Sequence, residues 1–169
     1  MNINPGHSIV ISPIGNFDAE LADHVEKGIS RIFGFPARIL PVLDNVGFAF
    51  DSGRNQYHST PILEKLESCA PSFALQVIAI TDVDLFIPIL THVYGEAQLG
   101  GRTCIVSTYR LKDSFLSARI NDSYIQRIVK EAIHELGHTF SRRHCREHAC
   151  IMHYCRTERD VDREWDQLG

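Results

Sequence analysis

No stretch of this chain is apolar for long enough to cross a bilayer: the most apolar region, residues 73 to 90, is interrupted by Asp82 and Asp84. The first residues, Met-Asn-Ile-Asn-Pro-Gly-His, lack the basic flank and apolar core of a secretory signal, so a cytoplasmic protein is expected. A surplus of positive charge is also missing. With 17 Lys and Arg against 21 Asp and Glu, the formal charge is -4, which offers no chain-wide attraction for nucleic acid or an anionic membrane. The basic cluster Arg142, Arg143, Arg146 is too short to reverse that and reads as a solvated helix end. Cysteine is scarce and odd in number, five in all, with three at 145, 150 and 155. That argues against a disulfide framework and for thiolate metal ligation in a reducing compartment. Cys69 and Cys104, in apolar surroundings, are expected in the core.

What is present is an ordinary globular composition: 169 residues, 44% hydrophobic and 22% charged, without repeats or low-complexity tracts. One domain over residues 1–169 is the economical reading, with a cysteine-rich part after residue 144. Ser8 to Ser12 reads as a buried strand ended by Pro13 and Gly15. A helix follows, with Phe17, Leu21, Val25, Ile29 and Ile32 on one stripe and Gly34 and Pro36 as stop signals. Residues 37 to 43 read as a strand, 44 to 56 as a loop, and 60 to 69 as a helix that tolerates Pro61 in its first turn. Phe73 to Thr81 is apolar apart from Gln76 and the terminal Thr81, as suits a central strand. Strands at 91 to 97 and 103 to 109 flank the Gly100-Gly101 turn. The fold class is therefore α/β, with a mixed, mostly parallel sheet flanked by helices and with room for one antiparallel strand.

The chemistry is concentrated in residues 134 to 144, His-Glu-Leu-Gly-His-Thr-Phe-Ser-Arg-Arg-His. Tyr124, Ile125, Ile128, Val129, Ala132, Ile133 and Leu136 recur at helical spacing behind the capping candidates Asn121, Asp122 and Ser123, so the segment opens on a helix. His134 and His138 then stand one turn apart on one face, able to reach one Zn²⁺, with Glu135 beside it. A chance His-Glu-x-x-His occurs in roughly a few per cent of such chains, and a third His at a fixed offset lowers this to on the order of a tenth of a per cent. His144 therefore carries much of the specificity. On a straight helix it would lie about 9 Å further along the axis, so the chain must turn between His138 and His144. Glycine usually makes that turn; here Ser141 occupies the position, at a cost of roughly 1–2 kcal/mol for a left-handed backbone. A catalytic zinc with three protein ligands keeps one position open to water, and Glu135 is the candidate general base.

His-Glu-x-x-His-x-x-Gly-x-x-His with a downstream methionine is the metzincin pattern, and His144-Cys145 with Cys150-Ile151-Met152 resembles its archaemetzincin branch. Ile80-Thr81-Asp82-Val83-Asp84-Leu85, Gly100-Gly101-Arg102 and Val106-Ser107-Thr108 are similar to the same family. The resemblance implies a zinc peptidase with His134, His138 and His144 as ligands, Glu135 as base and Met152 as the Met-turn residue beneath them. It implies an extended peptide or protein substrate along an edge strand, for which His92 to Ala97 is the candidate. It also implies a second, structural zinc held by four cysteines. Two match as Cys145 and Cys150; the later Cys-x-x-Cys pair is absent from these 169 residues, leaving Cys155 as a third candidate and His148 or His153 as a fourth. In some other metzincin branches a tyrosine two residues after the methionine reaches the zinc or the oxyanion. Tyr154 stands at that offset, with core packing as its other reading.

Two alternatives stay open. One is a catalytically inactive, zinc-stabilised module that binds a protein partner; the presence of Glu135 speaks against it. The other replaces His144 by Glu158 or Glu164 as third ligand. His24, His58 and His92 are read as surface or hydrogen-bonded histidines.

Overall fold

The computed structural model describes residues 7–112, 122–155 and 157–163. Asn121 and Glu164 lie outside the described residues, as does the side chain of Glu158.

Strands β1 (Ser8–Ile14), β2 (Ala37–Ile39), β5 (Ala74–Thr81), β7 (Gly95–Ala97) and β8 (Thr103–Ser107) form one sheet in the order β2-β1-β5-β8-β7. All neighbours are parallel except β7, which runs antiparallel to β8 with Gly95 opposite Val106. The mixed, mostly parallel α/β class read from the sequence is the observed one. Its cause is visible in the strand residues: Ile9, Ile11, Ile78, Ile80, Cys104 and Val106 point to one face, Val10, Val77, Ala79 and Ile105 to the other, and helices cover both. On the first face lie α1 (Ala19–Phe33), through Leu21, Val25 and Ile29, and α3 (Asp122–Thr139), through Ile125, Ile128, Ala132 and Leu136. On the second lies α2 (Ser59–Cys69), through Ile62, Leu63 and Leu66. Helices α1 and α3 pack so closely that a Cβ on Gly28 would stand 2.6 Å from Val129 Cγ1.

Local chemistry sets the ends. Asp18 caps α1 by accepting from the backbone N–H groups of Glu20 and Leu21, and Gly34 closes it at φ 72°. The expected strand 37–43 is only Ala37–Ile39: Pro41 has no N–H to donate, and the Val42 N–H turns to Ser12 Oγ. The expected loop 44–56 contains a 3₁₀ turn (Gly47–Ala49), β3 (Phe50–Asp51) and the start of β4 (Gln56–His58). With β6 (Leu85–Phe86) these make a second, three-stranded sheet of segments too short to show an alternating pattern. β7 is likewise shorter than 91–97, because Val93 is drawn to Leu85 by a backbone hydrogen bond, and β8 ends at Ser107 rather than 109. Cys104 is buried as expected, but Cys69, the last residue of α2, is exposed on its outer side.

Behind the site, α4 (Glu158–Arg163) is tied to α3 by Arg127, a buried guanidinium that holds both Asp162 carboxylate oxygens at 2.6 and 2.7 Å and donates to the Leu111 carbonyl. No helix among the described residues is long and apolar enough to cross a membrane.

Candidate metal centre

Helix α3 carries the whole of His134 to Thr139 and then stops. The stop has the hydrogen-bond pattern of a Schellman motif: the Arg142 N–H donates to the Gly137 carbonyl and the Ser141 N–H to that of His138, with Ser141 at φ 66°. Ser141 is one of two non-glycine residues at positive φ among those described. The His138 carbonyl also accepts from the N–H of Gly100, so the Gly100-Gly101 turn buttresses the helix end. The chain reverses here, and His144 returns to the two helix histidines. Ser141→Gly is expected to relieve the left-handed strain and stabilise the zinc-free protein by about 1 kcal/mol, a rise of about 2–4 °C in Tm on thermal unfolding.

His138 Nε2 lies 3.2 Å from His134 Nε2 and 3.2 Å from His144 Nε2. The other ring nitrogens of the helix pair are occupied: His134 Nδ1 is 2.6 Å from the Ile151 carbonyl and His138 Nδ1 is 2.7 Å from that of Arg142. A carbonyl only accepts, so each Nδ1 carries the proton and each Nε2 presents a lone pair. Lone pairs turned on each other at this range repel unless a cation lies between them. Two nitrogens about 2.0–2.1 Å from a tetrahedral zinc are about 3.3–3.4 Å apart, close to the spacing found here. The donor set fits zinc, and His134, His138 and His144 are the one group of three or more His, Cys, Asp or Glu donors of this kind among the described residues.

The electrostatics agree. Burial, the largest cause, lowers the pKa of His134; burial and then the neighbouring His134 lower that of His138; burial and then His134 and His138 bring His144 down to about 4. All three are neutral imidazoles at neutral pH, the state that binds a metal. Glu135 is buried beside them, and burial followed by the charge of Glu131 raises its carboxyl well above the usual range. Burial raises Glu131 to about 7.

The centre opens on a cleft of about 780 Å³ lined by β7, the preceding residues 90 to 94, Glu131, Glu135, the three histidines and Tyr154. Tyr154 is 44% exposed, its ring 5.3 Å from that of His144. Met152 is buried with Ile133 and Ile151, the residue whose carbonyl takes His134 Nδ1. Cys145 and Cys150 pack against this small cluster, whereas Cys155 packs on the main core and lines the cleft. The rings of His148 and His153 contact each other at a tilt of 49°, with centroids 4.4 Å apart. Of the remaining histidines, His92 lines the cleft, His58 stacks on Phe86 and His24 lies 4.0 Å from Glu20.

Glu131 lines the cleft and escapes the sequence reading, Arg143 is read there only as part of a solvated helix end, and Gly95 only as part of the edge strand, without its approach to Glu135. Glu131 precedes Glu135 by one helical turn, a spacing that by itself puts the two on one face. Nothing in the sequence around Gly95 marks its proximity to Glu135.

Fold and site together define a class, the zinc metallopeptidases of mixed α/β architecture, acting on peptide or protein substrates. Residues 20–168 match the model of peptidase family M54, and the chain belongs to that family. It is similar to the archaemetzincin of Methanocaldococcus jannaschii, 34% identical over 159 residues that make up 93% of this chain and 86% of that one. It is also similar to the archaemetzincin of Halobacterium salinarum, 32% identical over 94% of this chain and 92% of that one. Among solved structures, the archaemetzincin of Methanopyrus kandleri superposes with a TM-score of 0.84 at 27% identity, over 99% of this chain and 92% of that one. The archaemetzincin of Archaeoglobus fulgidus, solved with malonate, gives 0.80 at 29% identity, over 96% and 95%.

Proposed function

We propose that the chain hydrolyses peptide bonds at a zinc ion held by His134, His138 and His144, with Glu135 as general base. The observation that carries this reading is the convergence of three imidazoles on the wall of an open cleft, with His138 Nε2 3.2 Å from the Nε2 of each of the other two. When bound there, zinc supplies Lewis acidity, which makes water a better nucleophile and polarises the scissile carbonyl. Ile151 and Arg142 fix the tautomers of the two helix histidines through their carbonyls. Glu135 takes the proton of the attacking water on its carboxylate and passes it to the leaving amine. The substrate lies extended along β7, which has β8 on one side and the cleft on the other, and is gripped by backbone hydrogen bonds. Metal analysis of the wild type and the His144→Ala variant beside the activity of Glu135→Gln tests this.

Tyr154, beside His144, is assigned to the oxyanion of the transition state. Tyr154→Phe is expected to lower kcat by about tenfold, within the range of losing one such donor, with zinc content unchanged. Equal turnover in the two proteins would leave Tyr154 a packing residue. Met152 is assigned to the floor of the ligand set, through its packing beside Ile151.

A second ion on Cys145 and Cys150 belongs to the same proposal. Cys145 and Cys150 share an apolar cluster, with Cys155, His148 and His153 as the further candidates, although the donor atoms of this group do not converge as those of the three active-site histidines do. The whole chain is taken as one catalytic unit. Five free cysteines among the described residues suit a reducing compartment, and the cytoplasm is its proposed place of action.

A further inference from the structure

Among the Asp, Glu, His, Lys and Arg side chains of the described residues, four are buried: Arg127, Glu131, His134 and Glu135. Arg127 is paired with Asp162, and His134 and Glu135 belong to the site proposed above. Glu131 has no role there. It is 5% exposed on α3, lines the cleft, and its carboxyl is hydrogen-bonded to that of Glu135 one turn later. A hydrogen bond between two carboxyl groups uses one proton, donated by one and accepted by the other.

Glu135 also packs against β7. A Cβ on Gly95 would stand 2.8 Å from Glu135 Cγ, 3.0 Å from Cδ and 2.5 Å from the Ile105 carbonyl oxygen, so only glycine fits between the sheet and this side chain. Glu96, the next residue, accepts from the hydroxyls of Ser59 and Thr60 at the start of α2, which tethers β7 in this place. Glu135 is thus held between a glycine backbone and a second carboxyl. Packing alone would be served better by an apolar side chain, because burying a carboxyl is costly unless it is hydrogen-bonded.

We propose that Glu131 is a positioning residue: its hydrogen bond holds the carboxyl of Glu135 against Gly95, on the cleft wall beside the three histidines. This rests on the reading of Glu135 as general base. The orientation of a base decides how often it meets the proton it must take, and a misplacement of about 1 Å can cost on the order of a hundredfold in rate.

The test compares Glu131→Gln, which keeps a hydrogen-bonding end of the same length, with Glu131→Met, which keeps length and burial but has no such end. Both are expected to hold as much zinc as the wild type. Glu131→Met is expected to lower kcat by at least about tenfold with KM unchanged, Glu131→Gln to recover most of that loss, and crystals of the methionine variant to show the Glu135 carboxyl displaced from Gly95. The inference is overturned by wild-type kcat in Glu131→Met, by Glu131→Gln being as slow as Glu131→Met, by an unmoved Glu135, or by loss of zinc or of folding in both variants. Glu135→Gln, measured alongside, separates the two readings. If it remains active, the base assignment fails; if it is inactive while Glu131→Met is fast, only the role of Glu131 fails.

Discussion

Glu135→Gln is expected to lower kcat on a peptide substrate by about 10²–10⁴-fold, the usual contribution of a positioned general base, with zinc content and KM close to wild type. The amide has nearly the shape of the carboxyl and fits the same space against Gly95, but it cannot accept and release a proton at neutral pH. Glu135 is not one of the clustered nitrogen donors, so its replacement removes a proton acceptor and no ligand. Steady-state kinetics with metal analysis on the same preparations checks both halves. Retained cleavage would remove the residue from the mechanism.

His144→Ala is expected to do the opposite: zinc is lost and activity falls because the metal is absent. One of three donors disappears, and the remaining pair leaves two coordination positions to solvent. The affinity should drop by more than about 100-fold, beyond the 10–100-fold typical of losing a group that only orients a ligand. Competition with a chromophoric chelator measures it. A variant that keeps wild-type affinity would show that His144 is not a ligand and that the turn at Ser141 serves the fold alone.

Much of the architecture was legible because period and burial coincide. The β5 segment is apolar at every residue from Val77 to Ile80, and the structure covers both its faces. The stripe of α1 and that of α3 lie on the same core cluster, where helical spacing puts them. What escaped were elements too short to carry a period, such as β3, β4 and β6, and the strand ends that Pro41 and the Leu85–Val93 pairing decide. Cys69 was misjudged for a related reason: apolar neighbours in sequence do not say which way the last residue of a helix points.

The metal site divides along the same line. His134, Glu135 and His138 are adjacent in sequence and on one helix turn, so their proximity follows from helical geometry. His144 was accessible only through the requirement for a turn, and Ser141 meets it at φ 66° inside a Schellman motif whose carbonyl is also held by Gly100. The partners of the ring nitrogens, Ile151 and Arg142, are backbone carbonyls, which any residue type supplies. Glu131 stands one helical turn before Glu135, a spacing open to the sequence, whereas Gly95 reaches it through sheet position alone. Cys155 reads as a companion of Cys145 and Cys150 by spacing, yet tertiary packing places it on the core at the cleft.

The central claim is that three imidazoles share one zinc ion whose remaining position faces the cleft. Diffraction data collected at the zinc absorption edge from the zinc-loaded protein test it most directly. The account predicts an anomalous peak about 2.0–2.1 Å from the Nε2 atoms of His134, His138 and His144, with a fourth position filled by solvent. A peak with His144 turned away, or with a cysteine or carboxylate of the chain completing the coordination, would contradict it.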